Sequence, residues 1–144
     1  MLTATPRKQI DHKHIANWLE MAVSALPVEC DGMTRIISAL LHRASVAHAV
    51  VKGKLVDKGG KQSEGGREVL HHWIVLADGS IIDVRARMWF GASAPHGVFF
   101  PDQAAPFEYR GTPAVEPCKP SFAVLNIMAD TDLTTLPSLP IHAF

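Results

Sequence analysis

Asp78-Gly79 stands between two apolar runs, Trp73-Ile74-Val75-Leu76-Ala77 and Ile81-Ile82, and this constrains the fold more than any other feature of the chain. An Asp-Gly pair in that setting favours the two-residue turn of a β-hairpin, whose central residues both need a positive φ. Such a turn pairs Ala77 with Ser80, Ile74 with Asp83 and His72 with Arg85. Side chains alternate faces along a strand, so positions 70, 72, 74 and 76 then share a face with 81, 83 and 85. In that register His72 and Asp83 are diagonal neighbours, about 7–8 Å apart at the backbone and within side-chain reach. His71 points to the other face, and a one-residue bulge would exchange the two histidines.

Two helical patterns precede the hairpin. Ile15, Trp18, Leu19, Ala22 and Leu26 recur at helical spacing over residues 11–26, with Asp11 able to cap the start and Pro27 ending the run. A second helix is expected from Cys30 to Arg43, burying Met33, Ile36, Ile37, Leu40 and Leu41. Residues 45–56 read as a strand, and the hairpin strands as 69–77 and 80–89. The glycine-rich stretch 57–66 reads as a loop, either a plain connector or a lid. From Phe90 to Pro120 the density of Pro, Gly and aromatics predicts irregular loop with a short strand. Ser121–Met128 reads as a further strand, followed by a Pro-broken tail on the surface. Helix, helix and then an antiparallel sheet make an α+β fold.

The 144 residues fit one domain, with 47% hydrophobic residues and enough chain to bury a core without metal or disulfides. Zero formal net charge, without a basic cluster, argues against nucleic acid or an anionic membrane as partner. No apolar stretch reaches the ~20 residues of a membrane span. The first eight residues lack the apolar region of a secretory signal, so a reduced, cytoplasmic setting is expected.

Chemistry concentrates on three residues. Cys30 falls at a helix start, where the dipole favours a thiolate, although Glu29 and Asp31 beside it oppose that effect. With His72 and Asp83 it makes the set a nucleophilic cysteine enzyme needs. Each has a competing structural reading. Cys30 can be a small buried hydrophobe, His72 a hydrogen-bonded structural residue, and Asp83 an ion-pair partner of Arg85 or Arg87. Arg85, Trp89 and His96 are candidates for contacting substrate: Arg85 by gripping a carboxylate, Trp89 at the cleft rim and His96 along its wall. The competing readings are solvent exposure for Arg85 and His96 and core filling for Trp89. A metal site built from Cys30, His72 and Cys118 or His96 is a weaker alternative, and no cofactor is expected.

In the order of Cys30, His72 and Asp83, and in the run from His72 through Asp78-Gly79 to Asp83, the chain resembles the papain-like superfamily, in particular its transglutaminase-like bacterial and phage branches. The resemblance covers residues 28–100 and extends to Arg85-Ala86-Arg87-Met88-Trp89-Phe90-Gly91. That family often carries an aromatic residue two positions after its histidine, a spacing that His71 and Trp73 would meet. The resemblance implies covalent acyl chemistry on an amide or thioester of a protein or peptide. Cys30 would attack, His72 would move the proton, and Asp83 would orient the ring. The other implied possibility is an inactive papain-like module that binds a protein partner.

Overall fold

The computed structural model describes residues 11–59, 67–113 and 121–139. Helix α1 (His12–Ala22) starts at Asp11, whose side chain accepts the His14 N–H, and buries Ile15, Trp18, Leu19 and Ala22. It stops short of residue 26, because the Val23 and Ser24 N–H groups both fold back onto the Leu19 carbonyl. Helix α2 (Cys30–Arg43) buries Met33, Ile36, Ile37 and Leu41, and its N-cap, Glu29, makes no side-chain capping bond.

Strands β1 (His48–Asp57), β2 (Arg67–Leu76) and β3 (Ile81–Asp83) follow, then the short helix α3 (Arg87–Phe90), β4 (Gly97–Phe99), β5 (Phe107–Pro113) and helix α4 (Phe122–Ala129). The strands form one sheet in the order β4-β3-β2-β1-β5, each antiparallel to its neighbours. The class is therefore α+β, as expected. Helices α1, α2 and α4 cover one face, on Ile74, Leu76, Ile82 and Val84. The other face carries Val51, Trp73, Ile81 and Phe99, with Tyr109 packed against them.

That second face is strongly curled. Tyr109 of β5 and Phe99 of β4, from opposite edges of the sheet, bring their rings to 5.7 Å, and Tyr109 lies edge-on to Trp73 at 5.0 Å. Gly53 pairs with His71 on one side and with Gly111 on the other, so the row beside His71 is bare backbone. A Cβ on Gly53 would sit 2.0 Å from the Arg110 carbonyl oxygen, and one on Gly111 would sit 2.9 Å from the Trp73 ring. The curl closes only because these positions have no side chain.

Several expectations are corrected. The hairpin loop is Ala77–Gly79, one residue longer than expected. The Leu76 N–H bonds Ser80 O, the Gly79 N–H bonds Leu76 O, and Gly79 takes the positive φ, at 86°. The register becomes Ile74 with Ile82, not with Asp83. The second hairpin strand ends at Asp83 instead of running to 89, and residues 87–90 are helical. Residues 122–129 form a helix rather than a strand, capped by Ser121, whose hydroxyl accepts the Val124 N–H. The tail does more than cover the surface: Leu133 and Leu139 enter the core, and Trp18 Nε1 donates to the Pro137 carbonyl at 2.7 Å. Most of the glycine-rich loop, from residue 60 to 66, and Cys118 lie outside the described residues.

Candidate active site

The one-residue change in the turn decides which histidine meets the acid. Asp83 now shares its face with Trp73 and His71, and its Oδ2 accepts a hydrogen bond from His71 Nε2 at 2.8 Å. The expected His72–Asp83 pair is therefore replaced by His71–Asp83. Both partners are buried, His71 completely and Asp83 to 3% exposure. Asp83 is held from two further directions, with Tyr109 Oη donating to Oδ2 at 2.8 Å and the Arg85 backbone N–H to Oδ1 at 2.9 Å. Burial, with the Asp83 charge beside it, pushes the Tyr109 hydroxyl far up, so it serves as a donor. A buried acid is costly to leave unpartnered, and these three donors occupy both of its oxygens.

Cys30 opens α2 and is a free, nearly buried thiol. Its placement depends on the segment before the helix, where Arg85 donates from Nε to the Val28 carbonyl and from Nη2 to the Leu26 carbonyl, both at 2.7 Å. A third Arg85 bond goes to the Val84 carbonyl at 3.0 Å. Arg85, expected as a substrate grip, is thus turned inward as a brace for the loop that leads into Cys30. Arg87 is exposed on α3.

His72 is the histidine that approaches the sulfur. His72, half-buried on the helix-covered face, places Nδ1 3.9 Å from Cys30 Sγ and Nε2 3.9 Å from Asp31 Oδ1. Burial lowers its pKa, with the Asp31 charge opposing. Asp31 is also bonded by Arg35 Nε at 3.0 Å, so part of its charge is answered there. On His71, burial works to lower the pKa, but the hydrogen bond to Asp83 and the Cys30 charge outweigh it and push a ring with no other donor at Nδ1 up to about 9, while the Trp89 N–H at Nδ1 opposes that rise. The 3.9 Å approach of His72 is long for a proton-transfer contact. His71 is the ring held by the carboxylate, with Nε2 2.8 Å from Asp83 Oδ2, and we assign it the greater weight.

The indole of Trp89, 36% exposed, donates from Nε1 to His71 Nδ1 at 3.2 Å. An indole N–H cannot accept, so in this arrangement Nδ1 carries the lone pair and Nε2–H faces Asp83. His96 lies elsewhere, bonded through Nε2 to Glu20 of α1, with its Nδ1 buried and without a partner. The structure therefore sets His72 beside Cys30 and the adjacent His71 on Asp83, adds Tyr109 and Trp89 around the second pair, and assigns Arg85 and His96 to other contacts. Tyr109 was missed because it comes from β5, within a stretch read as mostly loop. Among the described residues no three His, Cys, Asp or Glu side chains are grouped to hold a metal ion, and no helix is long and apolar enough to cross a membrane. No family model, curated protein or solved structure matches the chain.

Proposed function

We propose that the protein is a papain-like cysteine enzyme acting on acyl groups, a hydrolase or acyltransferase, with Cys30 as nucleophile, His71 as base and Asp83 as the group that orients the ring. One observation carries the reading. A free thiol at an uncapped helix start has His72 Nδ1 3.9 Å from its sulfur, and the adjacent His71 is buried with its Nε2 bonded to a buried, fully engaged carboxylate. The Cys30 proton passes to His71 Nδ1, and the sulfur forms a bond to the carbonyl carbon of an amide or thioester. The carbonyl electron pair moves onto oxygen, where N–H groups at the start of α2 stabilise it. Collapse expels the leaving group, which takes the proton back from His71, and a second nucleophile then cleaves the thioester in the same way. His72, with Nδ1 3.9 Å from the sulfur, adds a second basic group beside it.

A second reading, an inactive module that binds a protein partner, is favoured by one feature: Nδ1 of His71 is occupied by Trp89. Iodoacetamide labelling in a Cys118→Ser background separates the two. The enzyme reading expects alkylation of Cys30 at neutral pH well above the rate of free cysteine, cut at least tenfold by His71→Ala. Labelling no faster than free cysteine and indifferent to His71 would overturn it.

A further inference from the structure

The bond between Trp89 and His71 has no place in the acyl-transfer steps, yet it engages the nitrogen those steps require. Nδ1 can accept the indole N–H only while unprotonated. Once it holds the thiol proton, two N–H groups face each other and the pair must separate. The Trp89 contact and the proton-loaded base are therefore mutually exclusive. We propose that Trp89 is a positioning residue acting as a removable brake on His71, holding the ring in its resting Nε2–H tautomer until the indole is displaced. This rests on the Cys30–His71–Asp83 reading.

The surroundings support it. Tautomer choice is enforced from both ends, by Asp83 accepting at Nε2 and Trp89 donating at Nδ1. Trp89 is exposed, at 36%, whereas His71 and Asp83 beside it are buried. It rides on the four-residue helix α3, which ends at Gly91 with a φ of 73°. His71 is fully buried, so a molecule arriving from solvent on this side meets the indole first. The groups facing His71 are Asp83 from β3, Cys30 from α2 and His72 beside it on β2, with Tyr109 of β5 reaching it through Asp83.

Nitrogen-15 NMR of labelled histidine, combined with Trp89→Phe, tests the proposal. Removing the indole N–H while keeping an aromatic ring is expected to raise the His71 titration midpoint by about half to one pH unit. It should also speed Cys30 alkylation at pH 7 by about two- to tenfold, the range of one net hydrogen bond. In the unmodified protein, the Trp89 indole N–H resonance should shift with the same midpoint as His71. A midpoint that stays put or falls in Trp89→Phe, or an indole resonance indifferent to His71, overturns the brake. Failure of the underlying reading looks different, because Cys30→Ala would then leave the His71 midpoint unchanged.

Discussion

Replacing Asp83 by asparagine keeps the side chain's shape and removes its charge, and the structure gives the cost in two parts. Oδ2 accepts from His71 and Tyr109, each at 2.8 Å, and Oδ1 accepts from the Arg85 N–H at 2.9 Å. Asparagine offers one oxygen and one NH2 group, so in either orientation a buried donor faces another donor, at about 1–3 kcal/mol. The second part depends on pH. Burial alone would lower the His71 pKa; the Asp83 bond, helped by Cys30, pushes it from 6.5 up to about 9 when no other donor holds Nδ1, and the Trp89 N–H opposes that rise. A group whose folded pKa is raised stabilises fully below its unfolded pKa, and that stability disappears as pH climbs through the folded pKa. The rise corresponds to roughly 3 kcal/mol, most of it owed to Asp83. Asp83→Asn should therefore cost about 3–5 kcal/mol at pH 6 and only about 1–3 kcal/mol at pH 10. Urea unfolding at both pH values measures the difference. Equal losses at the two ends would refute the claim that Asp83 holds a proton on His71.

Two other substitutions probe what positions the site. Gly53→Ala puts a methyl group 2.0 Å from the Arg110 carbonyl oxygen, so β1 and β5 must separate. The variant should lose about 3 kcal/mol or more in chemical denaturation, and a loss under 1 kcal/mol would mean the sheet need not curl so tightly. Arg85→Ala removes the two bonds that brace the Leu26 and Val28 carbonyls. It is expected to cost about 2–4 kcal/mol and to slow Cys30 labelling; labelling at full rate would show that the loop holds the thiol without the brace.

Much of this arrangement was legible in the sequence, and the exceptions have physical causes. The helix from Cys30 to Arg43 follows directly from its apolar spacing, and the hairpin from Asp78-Gly79. The register does not. Asp-Gly suits a two-residue turn, but glycine at the end of a three-residue loop satisfies the same φ requirement, and Asp78 Oδ1 secures that loop by accepting from the Ser80 N–H. The single residue gained exchanges His72 for His71. It also restores the aromatic two positions after the histidine. The second strand was read as too long because its alternation continues past Asp83. There the carboxylate turns the chain by accepting the Arg85 N–H, and Arg85 draws it toward α2. Residues 122–129 were misread because a short run rich in Phe, Val, Leu and Ile suits helix or strand equally. The Ser121 cap and burial of Leu125 and Ala129 against α2 decide for helix.

The hydroxyl that steadies Asp83 arrives on the strand farthest along the chain, 26 residues after the acid itself. During synthesis the thiol, the imidazole and the acid all leave the ribosome before Tyr109 does. Until the final strand docks, the acid is free to sample other partners. The full set of donors around Asp83 is then among the last things this polypeptide completes, and a chain cut before Tyr109 leaves the acid short of one of its three partners.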